Sequence, residues 1–260
     1  LFKMPKINKD STLNITFVGI GLCLLCSAII SFIAIQLRSV QENNVVLDMQ
    51  KKIVSSAGLD EVYGSVENAM SNIKTLIIDL DRGEIVDINP DTYELSKELR
   101  EDGKYKFLSA EEDVASIKKR EKYSKVYIEY KDNEINTLIL PVRGYGLWGI
   151  LYGYLAIEGD FNTVAGLEFY EHKETPGLGA EIDNPKWKAL WKGKKIYQEN
   201  GEVSLKVIKG SVMKTSDNFS YEIDGLSGAT LTCNGVSNLI AYWMGNDGFL
   251  NFINNLQKVD

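Results

Sequence analysis

The chain is 260 residues long, 44 % hydrophobic and 25 % charged, with a formal net charge of −7. That is ordinary globular composition, enough for one substantial domain plus an appendage. The acidic balance excludes nucleic acid as the expected partner, because neutralising phosphates requires basic patches.

The appendage comes first. No charged residue occurs from Ser11 to Leu37. Read as a helix, 13–37 spans roughly 37 Å, enough to cross a hydrocarbon layer of ~30 Å with some tilt. A cleaved signal peptide would have a shorter apolar core and a small-residue cleavage site, whereas this run leads straight into Gln36, Arg38 and a polar segment. The reading is therefore a single transmembrane helix at 13–37 after a tail at 1–12. Lys3, Lys6 and Lys9 precede the span, which predicts a cytoplasmic N-terminus and a domain outside the cytoplasm, on the periplasmic side of a bacterial inner membrane. Cys23 and Cys26 share one face of the span and read as small apolar residues at a helix–helix contact. Cys233 stands alone in the exported part and is expected to be buried.

Beyond the span, 38–60 continues as a polar–apolar helical pattern ending at Gly58, a membrane-proximal helix leading into a domain at 61–260. Thr75–Leu80 and Glu84–Ile88 flank Asp81-Arg82-Gly83, a hairpin signal. The charged stretch 91–124, with Pro90 near its start, reads as helical. Lys125–Tyr130 and Ile135–Pro141 form a second hairpin, and Gly149–Ile157 and Thr163–Glu171 a third. A short helix is expected at Pro185–Lys192, a strand at Val203–Ile208, and a helix at Asn234–Met244 capped by Asn234 or Thr232. The fold class is α+β: antiparallel strands with helices packed on them, behind one membrane helix.

Two short segments carry the chemistry. The first is Asp224-Gly225-Leu226-Ser227-Gly228-Ala229-Thr230. Two glycines and an alanine leave its backbone almost bare, so a large group can approach and N–H groups can turn toward an anion. A threonine hydroxyl without an adjacent base is a poor nucleophile, and the one histidine, His172, is far away in sequence. Thr230 is better suited as an acceptor on which another enzyme places a group, and no catalytic residue is assigned. The following helix would aim its N-terminal dipole at that group, a good setting for a phosphate diester. Asp224 serves the modifying enzyme or caps the turn; sequence does not separate the two. The second segment is Glu174-Thr175-Pro176-Gly177-Leu178-Gly179. It is a tight turn offering bare backbone, a hydroxyl and an apolar side chain. Either motif alone is also compatible with an ordinary turn before a helix.

Together the two segments resemble the FMN-binding domain shared by the C subunit of the Na+-translocating NADH:quinone oxidoreductase and the G subunit of the Rnf electron-transport complex. Ser-Gly-Ala-Thr at 227–230 resembles the family's flavinylation motif. Gly146-Leu147-Trp148-Gly149 followed by Tyr152-Gly153, the run Glu181–Trp187 and the tail Trp243–Phe249 are similar to the C subunit rather than the G subunit. The resemblance covers the anchor and most of 135–252. It implies FMN joined by a phosphodiester to Thr230, with Ser227, Gly228, Ala229, Asp224, Glu174, Thr175, Gly177, Leu178 and Gly179 around it. It further implies a separate flavin transferase using FAD for maturation, other subunits of the complex as partners, and electron relay as the role. No dinucleotide fingerprint opens a helix here, so the chain alone is not expected to oxidise NADH. Trp148, Tyr145 and Trp243 could line the flavin or fill the core. His172 reads as a plain hydrogen-bonded histidine, with no set of metal ligands beside it. The rivals are the Rnf G subunit and, from another class, a membrane-anchored binding or sensory domain without flavin.

Overall fold

The structure, a computed structural model, describes residues 11–258. Lys3, Lys6, Lys9 and all of the 1–12 tail except Ser11 and Thr12 lie outside the described residues. The chain divides into two units, one ending at Asp48 and one from Met49 to Asp260.

Helix α1 (Thr12–Ser56) is continuous over 45 residues and is long and apolar enough to cross a membrane. Its side chains from Leu13 to Leu37 that are large and apolar stand exposed, as in a span that faces lipid or partner helices. No break separates 13–37 from the segment after it, because no glycine or proline interrupts 38–56. The helix ends before Gly58, whose φ of 66° terminates it in the left-handed region.

In the second unit, α2 (Leu59–Tyr63) and α3 (Val66–Ser71) precede β1 (Ile73–Asp79) and β2 (Glu84–Val86). A one-turn helix α4 (Leu95–Glu98) and a two-stranded ribbon of β3 (Tyr105–Phe107) and β4 (Lys119–Glu121) follow. Strands β5 (Tyr123–Lys131), β6 (Glu134–Tyr145), β7 (Ile150–Glu158) and β8 (Val164–Glu171) come next. Then come α5 (Pro185–Lys188), β9 (Lys206–Val207), β10 (Glu222–Ile223), α6 (Thr230–Trp243) and α7 (Leu250–Leu256). The main sheet has the order β2-β1-β5-β6-β7-β8 and is antiparallel throughout. An α+β fold results, as expected.

All three hairpins form. Asp132 and Asn133, with φ of 54° and 69°, make a two-residue loop of the kind that matches strand twist. In the third connection the Asp160 carboxylate accepts the amides of Asn162 at 3.0 Å and Thr163 at 2.7 Å and pairs with Lys195 at 2.9 Å.

The stretch 91–124 corrects the sequence reading. It holds one helical turn, a 3-10 turn and the β3–β4 ribbon, with the rest as loops. Local side chains satisfy the backbone in place of a helix. Asn89 accepts the Asp91 amide, Asp113 accepts the amides of Ile117 and Lys118, and Ser116 and Lys118 adopt positive φ. The segment lacks an apolar stripe that a long helix could bury. The other differences are smaller: α5 is shorter than Pro185–Lys192, and the strand expected at Val203–Ile208 is only Lys206–Val207, paired in parallel with β10.

Strand alternation places Val126, Ile128, Leu138, Leu140, Leu155 and Phe169 on one face of the sheet, in the large core. Tyr127, Ile139, Tyr154 and Ala156 point to the other face and pack with Ile53, Val54 and Leu59. Helix α6 covers the first face. A Cβ on Gly235 of α6 would lie 2.3 Å from the Tyr145 carbonyl oxygen, and one on Gly144 of β6 would lie 2.8 Å from Leu239 Cβ. At Gly235 helix and strand therefore meet backbone to backbone. Toward the other end of the helix, Trp243 is fully buried and donates its indole N–H to the Arg143 carbonyl at 2.6 Å. Arg143 itself is buried and paired with the buried Glu121.

This packing can be tested at two positions. Gly235→Ala gains about 1 kcal/mol of helix propensity but overpacks the strand contact, so a net loss of about 1–2 kcal/mol is expected in urea unfolding. A stabilised variant would mean that the helix can move off the strand freely. At Asp160, burial raises the carboxyl pKa, but hydrogen bonds from Thr163, Asn162 and Lys195 outweigh it and bring it down to about 2. The group ionises more easily folded than unfolded. Its stabilisation is therefore present above about pH 4 and drains away as pH falls toward 2. Urea midpoints of wild type and Asp160→Asn should differ at pH 6 and converge over that window; a gap independent of pH contradicts the assignment.

Candidate functional site

The site forms where two glycine-rich turns meet the first turn of α6. After β8, the Leu178 amide donates to the Thr175 carbonyl at 3.1 Å, with Pro176 and Gly177 at the corner. Gly177 has φ of 75°, so the turn has the proline-then-glycine form of a type II turn. Before α6, the Ala229 amide donates to the Leu226 carbonyl at 3.1 Å, and Gly228 sits at φ 74°. The two turns touch: a Cβ on Gly228 would lie 2.9 Å from Leu178 Cδ2. Glycine at 228 is thus required twice, by conformation and by space.

Helix α6 starts at Thr230 itself, four residues earlier than the sequence suggests. Neither Asn234 nor Thr232 caps it. The N-cap position is Ala229, and no side chain caps the helix. The first-turn amides, which no helix satisfies internally, are left for a ligand or solvent. Thr230 is exposed at this end. Beside it lies a hollow of about 400 Å³ bordered by Lys209, Gly210, Ser227, Gly228, Thr230 and Asn234. Cys233 forms part of its floor. That thiol is buried, as expected, accepts the Leu226 amide at 3.3 Å, and is pushed up in pKa by burial.

Among the residues assigned from sequence, Thr175, Gly177, Leu178, Ser227, Gly228 and Thr230 come together at the surface. Ala229 and Gly179 are buried beneath them. Asp224 is turned away to hold the scaffold. Its carboxylate accepts the Val212 amide at 2.7 Å and its carbonyl accepts the Trp187 indole N–H at 2.8 Å. These contacts tie the start of the motif to the 212 loop and to α5. Glu174 is buried, and its carboxylate is occupied within the protein. Oε1 accepts the amides of Leu147 at 2.9 Å and Trp148 at 3.0 Å, and Oε2 accepts the Thr232 hydroxyl at 2.5 Å. His172 accepts the Glu174 amide on Nδ1 at 3.2 Å, which leaves its proton on Nε2, facing Asp183 at 2.7 Å. That matches the plain hydrogen-bonded reading.

Of the three aromatic candidates, Trp243 belongs to the core, while Trp148 is 62 % and Tyr145 45 % exposed on the site's flank. Sequence reasoning named Thr232 only as a possible helix cap and missed that it faces the interior, two residues beyond Thr230. It also missed the 209–211 loop, which pairing between β9 and β10 brings beside the motif. No local signal marks either; both depend on long-range pairing. Among the described residues no group of three or more His, Cys, Asp or Glu is placed to hold a metal.

The residues present fit a flavin phosphate ester: a free hydroxyl, uncapped helix amides, one nearby lysine and a glycine cradle that a side chain would fill. Comparisons with known proteins give the family. Residues 146–245 match the FMN-binding domain family. The chain is 46 % identical over 256 residues to the C subunit of the Na(+)-translocating NADH-quinone reductase of Pseudomonas aeruginosa, covering 96 % of this chain and 98 % of that one. It is 41 % identical over 246 residues to the corresponding protein of Vibrio anguillarum, covering 95 % of each. Among solved structures, that of Shewanella oneidensis NqrC superposes with a TM-score of 0.71 at 29 % identity, covering 81 % of this chain and 96 % of that one. Turns, helix end and relatives lead to one conclusion: the chain belongs to the family of the C subunit of the Na(+)-translocating NADH-quinone reductase.

Proposed function

We propose that this chain carries FMN covalently, by a phosphodiester between the flavin phosphate and the Thr230 hydroxyl. The chain is an FMN-binding electron-relay subunit of a sodium-translocating NADH:quinone reductase, and the attachment chemistry is the further step. The observation that carries it is the contact of Leu178 with Gly228, which joins two glycine-rich turns beside an exposed Thr230 at an uncapped helix end.

The flavin supplies reversible electron uptake and release when bound. The chain's own residues position it. The α6 first-turn amides and Lys209 would hold the phosphate ester, by backbone donation and by charge. Thr175, Gly177 and Leu178 offer backbone and an apolar contact for the ring. In attachment, the Thr230 oxygen would bond to the FMN phosphorus of FAD as the pyrophosphate bond breaks and AMP leaves. The hydroxyl proton would pass to a base on the flavin transferase, since among the described residues no His, Asp or Glu borders the hollow beside Thr230. Other subunits of the complex exchange electrons with the relay. The relatives named for the sodium-translocating reductase favour this assembly over the Rnf-type one.

The lysines before the span support a single-pass topology with the domain in the periplasm. Alkaline phosphatase fused after the last residue should be active in cells, since it folds only in an oxidising compartment; a cytoplasmic domain would leave it inactive.

Intact mass of the denatured protein tests the attachment. Wild type made with the transferase should gain FMN minus one water, and Thr230→Ala should gain nothing while losing no more than about 0.5 kcal/mol of stability, as befits an exposed position. A covalent flavin retained by Thr230→Ala overturns the assignment.

A further inference from the structure

We propose that Glu174 and Thr232 form a buried brace that orients Thr230 and its surroundings for flavin attachment. The inference rests on the reading of Thr230 as the attachment residue. Glu174 is 5 % and Thr232 0 % exposed. Among the described residues Glu174 has no ion-pair partner. Its carboxylate instead joins three segments distant in sequence. Oε1 holds the amides of Leu147 and Trp148 in the connection after β6, and Oε2 holds Thr232 in the first turn of α6. Glu174 itself opens the turn that carries Leu178.

Two glycines leave room for this carboxylate. A Cβ on Gly146 would sit 2.6 Å from Oε1, and one on Gly179 would sit 2.5 Å from Oε2 and 2.6 Å from Thr232 Oγ1. A polar group buried without a cation is a costly way to fill a joint, and an apolar side chain would fill it more cheaply. What the carboxylate adds is direction: it accepts three donors at fixed angles from two segments and ties both to its own.

The geometry carries this to Thr230. Successive helix residues are about 100° apart around the axis, so Thr232 points roughly 200° from Thr230. Clamping Thr232 inward fixes the rotation of the first turn and keeps the Thr230 hydroxyl outward. The same carboxylate anchors the start of the turn that brings Leu178 to Gly228, and it holds the Trp148 amide. Glu174 and Thr232 are therefore positioning residues, with the flavin contacts made by their neighbours.

The test follows flavin transfer to the full chain from FAD by purified transferase, read as intact mass against time. Glu174→Ala and Thr232→Val should take flavin at least about tenfold more slowly than wild type, the scale expected when a buried hydrogen bond is broken. Thr232→Ser, which keeps the hydroxyl, should recover most of the rate. Wild-type rates in the first two, or a serine variant as slow as valine, overturn the proposal. A second readout needs no flavin. In unflavinylated Thr232→Val, hydrogen exchange at the Leu147 and Trp148 amides should speed up at least about tenfold, while β5 to β7 stay protected. Unchanged exchange at these two amides also overturns the brace. If wild type itself takes no flavin, the attachment reading fails instead, and the exchange measurement still judges the brace.

Discussion

The site depends on how closely helix α6 lies on strand β6. Side chains usually hold packed elements apart, but at Gly235 the helix backbone meets the Tyr145 carbonyl directly, and at Gly144 the strand backbone meets the Leu239 Cβ. This close approach sets the start of α6 level with the end of β6. From there Thr232 can reach Glu174, and the Leu226–Ala229 turn can reach the turn after β8. At the far end, the Trp243 indole bonds the Arg143 carbonyl and stops the helix from sliding along the strand. Strands β6, β7 and β8 form one continuous ladder, so all three segments of the site are anchored to the same rigid part of the sheet.

Around that anchor, several local choices cost stability. Alanine at the N-cap forgoes about 1 kcal/mol that serine or aspartate would supply. Gly228 and Gly177 adopt left-handed conformations, which adds to the entropy lost on folding. Leu147, Trp148, Leu178 and Leu231, on the segments that build the site, are apolar and exposed. A fold selected for stability alone would remove each of these, and proteins usually break local rules of this kind where function requires it. Capping the helix with a side chain would satisfy its amides but would also fill the place where an anion can bind.

Much of this is legible in the sequence because the relevant signals are local. Uncharged length marks the span, two-residue periodicity and turn residues mark the hairpins, and the small residues at 225–230 mark a bare backbone. The failures share a physical origin. Residues 91–124 carry helix-forming charges, yet Asn89, Asp113 and neighbouring loops take up the backbone hydrogen bonds, an outcome set by the sheet they wrap. The start of α6 is hidden because Ala229 and Thr230 look like a loop until packing at Gly235 draws the helix back to them. The motif around Glu174 is legible as a tight turn with a bare backbone. Its carboxylate's partners at Leu147, Trp148 and Thr232 are 26 to 58 residues away and emerge only once the strands are paired.

The exposure of the site also bears on why a covalent bond would be used. A pocket that holds a small molecule by contact alone typically buries 70–90 % of its surface. Here Thr175, Gly177, Leu178, Ser227, Gly228 and Thr230 all lie open. Contacts of that kind would retain a free flavin weakly. A tether changes the requirement, because an attached group is held at an effective concentration in the millimolar range whatever its intrinsic affinity. Leu178 and the neighbouring amides then need only orient the ring, and one face can stay uncovered. An electron relay requires that access, since electrons must enter from one partner and leave to another. Openness that would be a defect in a site for free cofactor is consistent with a bonded one, provided the Thr230 hydroxyl points outward, which is the orientation held by the inward clamp on Thr232.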